Sequence, residues 1–242
     1  MKLFIADNYE ELSKQAASDL ISLSSGIKNP IVCAASGHTP EGLYNSVVEK
    51  VKNKEANIDN WYFLGLDEWV GMNGNDEGSC RFYINSQLLF PLNVTTEKII
   101  FFDGRATDLQ SECMRVEDFI HEHDHIHVSI LGVGMNGHVG MNEPGTPIKT
   151  RSHICTLHPI TQKVGQKYFN REQQLTHGIT LGLGTLLESE HIILLISGQH
   201  KAPIVKELLE GEVSENIPAS LLRTHPGLRV YMDKDAAQLL SQ

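Results

Sequence analysis

Short apolar runs alternate with amphipathic stretches along the whole chain, and the alternation predicts a strand–helix repeat. Between Tyr9 and Ser24, the residues Leu12, Ala16, Leu20 and Leu23 fall on one face of a helix, and Asp7 is placed to cap it. Pro30–Ala35 is a short buried strand. It runs into Ser36-Gly37-His38-Thr39-Pro40, where Thr39 reads as an N-cap and Pro40 as the first residue of a helix reaching about Lys52. Trp61–Leu66 reads as a strand that ends on Asp67-Glu68-Trp69. After the polar stretch 72–80, the pattern predicts a helix over Arg81–Leu89, a strand over Lys98–Phe102 and a helix over Thr107–His121. Ile126–Leu131 is the next strand. Further on come a helix near Thr161–Tyr168, a strand at Glu190–Ile196, helices at Lys201–Leu209 and Pro218–Thr224, and a last strand at Leu228–Met232.

Strands that alternate with helices at this spacing imply right-handed crossovers. The expected fold is therefore α/β, a single doubly wound, mostly parallel sheet with helices on both faces, Rossmann-like in its winding. No repeat, low-complexity tract or linker interrupts it, so residues 1–242 read as one domain. In such sheets, ligands bind beyond the carboxyl ends of the strands. Three polar clusters are expected there: Ser36–Thr39, Asp67–Glu68 and Asn136–Glu143.

Composition narrows the function. The formal net charge is −10, which argues against a nucleic-acid partner and requires a local positive pocket for any anionic substrate. Hydrophobic residues make up 40% of the chain, enough for a large core, yet no apolar run approaches the length of a membrane span. The first residues turn acidic too early for a signal sequence. The four cysteines form no C-x-x-C, so no disulfide framework is expected, and a reducing, cytoplasmic compartment is.

The strand at Ile126–Leu131 opens into LGVGMNGHVGMNEPG, residues 131–145, with five glycines among Asn136, His138, Asn142 and Glu143. It contains a G-x-G-x-x-G at Gly132, Gly134 and Gly137. A dinucleotide site needs a long helix after the third glycine, and Gly140 with Pro144-Gly145 denies it one. The acidic residue expected some way downstream is also missing. The remaining readings are a structural loop or a site in which a carboxylate orients and tunes an imidazole for proton transfer.

The other clusters carry similar pairs of readings. Ser36-Gly37-His38-Thr39-Pro40 is either an ordinary capped turn or an anion site made by exposed N–H groups at a helix start. It lacks the lysine and length of a nucleotide-triphosphate loop. Asp67 is either a solvated turn residue or a carboxylate whose pKa a strand-end burial raises. The run His121-Glu122-His123-Asp124-His125-Ile126-His127 resembles a metal site, but no further ligand cluster lies near it in sequence, and no metal is expected. Among the basic residues, Lys201 follows a strand end and Lys163 opens a helix. Arg151 and Arg223 have no such placement in their favour.

With these residues assembled, the chain resembles the glucosamine-6-phosphate deaminase/isomerase family, which shares its fold with 6-phosphogluconolactonases. The resemblance spans roughly residues 3 to 235. It rests on Ser36-Gly37-His38-Thr39-Pro40, on Leu66-Asp67-Glu68-Trp69-Val70-Gly71, on Gly132–Gly145, and on Thr180-Leu181-Gly182-Leu183-Gly184-Thr185-Leu186-Leu187. It implies that Asp67 moves a proton between C2 and C1 of the sugar, and that His138, tuned by Glu143, opens the ring. Asn136 stands where some members carry aspartate, and implies orientation of His138 by hydrogen bonding. Ser36, Gly37, His38, Thr39 and Lys201 would hold the 6-phosphate. Lys163 would stand where many members have arginine, replacing a bidentate clamp by a point charge.

The implied substrate is an amino-sugar 6-phosphate, with no metal and no organic cofactor. Glucosamine and galactosamine epimers both stay open, because Gly178–Leu183 and Ile217–Ser220 are somewhat like the galactosamine branch. A lactonase and a non-catalytic sugar-phosphate sensor are the alternatives. Activation by N-acetylglucosamine 6-phosphate is not expected, since His153 and Cys155 stand where activated members are basic and the chain ends at Gln242. Monomer and homo-oligomer are both compatible with the sequence.

Overall fold

The computed structural model describes residues 1–241, and strands and helices alternate through them. The strands are β1 (Lys2–Ala6), β2 (Ile31–Ala34), β3 (Tyr62–Gly65), β4 (Asp67–Trp69), β5 (Ile99–Ile100), β6 (Val128–Gly132), β7 (His153–Thr156), β8 (His177–Thr180), β9 (His191–Ile196) and β10 (Leu228–Asp233). The helices are α1 (Tyr9–Ser24), α2 (His38–Lys52), α3 (Cys80–Ile84), α4 (Leu109–Glu122), α5 (Pro159–Gly165), α6 (Leu183–Leu187), α7 (Ala202–Glu210), α8 (Pro218–Leu221) and α9 (Lys234–Ala237).

The central sheet has seven strands in the order β1-β10-β9-β6-β2-β3-β5, and every pairing in it is parallel. The central strands are covered on both faces, so β2 and Ile192–Ile196 of β9 read as apolar runs, whereas β1 at the edge leaves Leu3 and Ile5 exposed. Along β2, Ile31 and Cys33 pack toward α4, α6, α7 and α9, while Val32 and Ala34 pack toward α1 and α2. A one-residue slip of that strand would exchange the two cores.

The helix starts differ from expectation by a residue or two. Asn8, not Asp7, caps α1: its side chain accepts from Glu11 N at 3.0 Å, and Asp7 pairs instead with Lys234 at 2.5 Å. Helix α2 begins at His38, ahead of Thr39 and Pro40. Gly37 takes φ 114°, a left-handed-side value that glycine tolerates, and so turns the chain into the helix early.

A second sheet, antiparallel and ordered β4-β8-β7, was not expected from the hydrophobic pattern. The chain leaves the central sheet at Leu66 and enters this one, with Asp67 opposite Thr180 and Glu68 opposite Ile179. The segment after β3 therefore does not end in a solvated turn but in three buried residues.

The chain winds outward in two directions from the centre of the main sheet. From β2 it passes to β3 on one side, and from β6 to β9 on the other. The loops leaving the carboxyl ends of β2 and β6 diverge there, and a crevice opens between them. Among the described residues, no helix is long and apolar enough to cross a membrane.

Candidate active site

The crevice holds a cavity of about 680 Å³, of a size that takes a small phosphorylated ligand. Ser36, Gly37, His38 and Thr39 line it from the end of β2, Asp67 from β4, His138 from the loop after β6, and Lys201 from the loop after β9. Residues far apart in sequence thus share one wall. Asn136 and Glu143 do not line the cavity; they stand behind His138.

Those three side chains form a hydrogen-bonded chain. Asn136 Nδ2 donates to Glu143 Oε2 at 2.8 Å, and His138 Nδ1 lies 2.6 Å from Asn136 Oδ1. A carboxylate accepts only, so it orients the amide, and the amide oxygen then requires a proton on Nδ1. The Nε2 lone pair of His138 is left free for the cavity. Glu143 itself is held by His158 N, which donates to Oε1 at 3.1 Å. Glu143 Oε2 is 3.6 Å from Nδ1, more distant than the amide oxygen, and the desolvation of the buried ring outweighs its pull. The imidazole pKa lies below its ordinary value, so the ring is neutral near pH 7. Thr161 Oγ1 approaches the same Nδ1 at 3.2 Å.

The glycines of this loop have separate reasons. Any side chain at Gly134 would collide with the His138 ring, and Gly140 sits at φ 57° against Thr180 and Leu66. The loop is tied down to the second sheet and its flank. Met141 N donates to Thr180 Oγ1 at 3.2 Å, and Asn142 Nδ2 donates to Leu181 O at 2.9 Å.

Asp67 is 8% exposed. Burial pushes its carboxyl up to about 7; the Cys80 thiol opposes the rise and the charge of Glu68 adds to it. A carboxyl near 7 is matched to taking and returning a proton at neutral pH.

The turn after β2 presents the start of α2 to the cavity with no side-chain cap on its first N–H groups. The Tyr9 hydroxyl, which also lines the cavity, fixes the turn, donating to His38 O at 2.8 Å and accepting from Gly42 N at 2.7 Å. Lys201 crosses from its own loop to donate to Val133 O at 2.7 Å, and burial, with Lys167 second, brings its ammonium down to about 8.

Lys163 is not at the cavity. In α5 it is Ile160, Thr161, Val164 and Gly165 that face inward, and helical spacing turns Lys163 away into solvent. The cation that does line the cavity from this segment is Lys167, one helical turn later, with its ammonium 4.9 Å from the Tyr168 ring and its pKa lowered by burial. Lys163 and Lys167 both carry the right charge; only the phase of α5 and the 3₁₀ turn after it separates them. Tyr168 was likewise unmarked in sequence, and its hydroxyl stands against Gly37.

The histidine run lies at the far, amino-terminal edge of β6 and β9. His125, His127 and Glu190 come together there. However, His127 Nδ1 accepts from Ile31 N at 3.1 Å, which puts the ring proton on Nε2 and removes that nitrogen as a ligand. His125 and Glu190 remain, too few donors for a closed transition-metal site.

Comparison with known proteins gives a consistent picture. Residues 7–231 match the family model described as glucosamine-6-phosphate isomerases/6-phosphogluconolactonase. The chain is 34% identical over 242 residues to a glucosamine-6-phosphate deaminase of Oceanobacillus iheyensis, covering 100% of this chain and 97% of that one. It is 35% identical over 240 residues to glucosamine-6-phosphate deaminase 1 of Bacillus subtilis, covering 99% of both. A solved monomeric glucosamine-6-phosphate deaminase superposes with a TM-score of 0.96 at 35% identity, covering 99% of this chain and 100% of that one. The 6-phosphogluconolactonase of Trypanosoma brucei shares the fold, with a TM-score of 0.75 at 19% identity.

Proposed function

Because the chain belongs to the family of glucosamine-6-phosphate isomerases and 6-phosphogluconolactonases, we propose that it is an amino-sugar-6-phosphate deaminase that also isomerises. Glucosamine 6-phosphate and water would give fructose 6-phosphate and ammonium. Residues 1–242 act as one unit in this reading, in the cytoplasm, on a small-molecule substrate.

His138, through the free Nε2 that its neutral tautomer leaves, opens the pyranose ring by moving a proton at the ring oxygen. Asn136 and Glu143 hold that tautomer. Asp67 takes the C2 proton of the open chain while the substrate's ammonium passes a proton to O1, which leaves an enolamine, and Asp67 then returns its proton to C1. Water then hydrolyses the resulting imine to the ketose and ammonia, released as ammonium. The Ser36–Thr39 turn, Lys201 and Lys167 receive the 6-phosphate through backbone N–H groups and two positive charges. No step needs a metal or an organic cofactor.

The observation that carries this reading is Asp67, a carboxyl raised to about 7 in the cavity that His138 lines. A lactonase needs a base for water and has no use for a second base placed to enolise. An assay of ammonium release with glucosamine and galactosamine 6-phosphates tests the proposal and separates the epimers. Exchange of the C2 hydrogen with solvent should accompany turnover. Hydrolysis of 6-phosphogluconolactone with no ammonium release and no such exchange would sink it.

A further inference from the structure

Asp67 and Glu68 are neighbours on β4, and a strand sends successive side chains to opposite faces. Asp67 lines the cavity; Glu68 does not, and it is 0% exposed. A buried carboxylate is costly unless its oxygens are filled with donors. Glu68 has them. Oε1 accepts from Trp69 N at 2.9 Å and from Cys80 N at 2.9 Å, and Oε2 accepts from Arg81 N at 3.1 Å. The Ser79 hydroxyl adds a further donor. Two of these N–H groups are the first of α3, which have no partner inside the helix.

We infer that Glu68 is the positioning residue for Asp67: it fastens the strand that carries Asp67 to the first turn of α3, and it supplies the negative charge beside Asp67. The inference rests on the reading of Asp67 as the base of a deaminase.

The surroundings of Asp67 single Glu68 out. The titratable groups whose charge is coupled to that of Asp67 are Glu68, next to it on β4 but on the opposite face, Cys80 at the start of α3, Cys33 on β2, Tyr44 on α2, Cys155 on β7 and Tyr168 after α5. Burial raises every one of these thiols and phenols, so they stay protonated and uncharged near pH 7. Of the two carboxyls, Glu68 holds three backbone N–H donors, and Asp67 receives only the Cys80 thiol. Burial raises the Glu68 carboxyl as well, the Arg81, Cys80 and Trp69 N–H groups pull it back, and its charge, once formed, keeps the proton on Asp67 to a higher pH.

The experiment compares Glu68→Gln, Glu68→Asp and Asp108→Ala with the unmodified protein, whose ammonium release must be shown first. If the unmodified protein releases none, the deaminase reading fails and not this inference alone. Glu68→Gln removes the charge and sets an amide NH₂ against Arg81 N–H. Its kcat should fall about 10-fold with KM within about twofold, and the acid limb of its pH–rate profile should move down by about half a unit. Glu68→Asp keeps the charge but is too short to reach both strand and helix, so kcat should fall with the limb unmoved. Asp108→Ala removes the remote cap of α4, whose carboxylate accepts from Gln110 N at 3.0 Å, and lowers the melting temperature only. An unshifted limb in folded Glu68→Gln overturns the inference. So does full kcat in Glu68→Asp, which also decides the matter if Glu68→Gln does not fold. A limb shift in Asp108→Ala would mean general loosening and would overturn it too.

Discussion

In the loop after β6, His138, Asn136 and Glu143 hold one another by side-chain hydrogen bonds of 2.6 and 2.8 Å. In the turn after β2, by contrast, the groups that face the cavity are uncapped backbone N–H groups at the start of α2, joined by the long side chains of Lys201 and Lys167. The first region spends its polar atoms on fixing one tautomer and one ring orientation. The second leaves its backbone donors open and carries its charges on long stems, with Lys201 resting on Val133 O. A proton transfer fails when an atom is misplaced or in the wrong tautomer, so pre-organisation is needed there. An anion of three equivalent oxygens tolerates several donor arrangements, and strong charge-assisted bonds form only once it arrives.

Substitutions should split along the same line, the wired groups changing kcat and the open ones changing KM. The largest effect is expected at Asp67. Asp67→Asn should lower kcat about 10³-fold or more with little change in KM, measured by ammonium release. It should also melt higher than the parent at pH 8 and not at pH 4. The folded carboxyl titrates near 7 against an ordinary 3.8, so ionisation costs the folded state increasingly as pH rises through that window, and the amide removes the cost. A retained rate would remove Asp67 from the proton-transfer set.

Next comes Asn136→Ala, which cuts the chain between Glu143 and His138 without touching the cavity wall. We expect kcat about 10²-fold lower and KM nearly unchanged. If KM rises instead, the two regions are less separate than the hydrogen bonds suggest. Lys201→Ala should do the reverse, raising KM by about 10-fold or more, the worth of one charge-assisted bond, and leaving kcat largely intact. Lys163→Ala should change KM by less than about twofold, because that side chain faces solvent. A large effect there would place α5 in a different phase.

The pH dependence is the smallest and most specific discriminator. Asp67 must lose its proton to act, so kcat/KM should rise through about 7, and Lys201 must keep its proton, so it should fall above about 8. Bound phosphate favours the ammonium, so the basic limb of kcat should lie higher than that of kcat/KM. Coincident basic limbs would take Lys201 out of phosphate binding.

Much of this molecule is legible in its amino-acid sequence. The apolar runs within Pro30–Ala35, Ile126–Leu131 and Glu190–Ile196 announce buried parallel strands, and the doubly wound order follows from their helical spacers. Ser36, Asp67 and His138 stand out because polar clusters at strand ends are few. Other features were hidden in the chain. The three residues of β4 look like a turn because their partners lie in β8, far away in sequence. Lys167 and Lys163 differ only by helical phase, and nothing local says which phase faces the cavity.

The sequence by itself determined the layers, the parallel winding and the rim on which the chemistry sits, because those depend on local periodicity and on which faces are apolar. Tertiary structure decided which lysine meets the cavity, which way the Asn136 amide points, and that Glu68 turns inward to α3 while Asp67 faces the cavity. Each of those choices is made by a partner from a different element, and the energy of a hydrogen bond or a buried charge depends on where that partner finally stands.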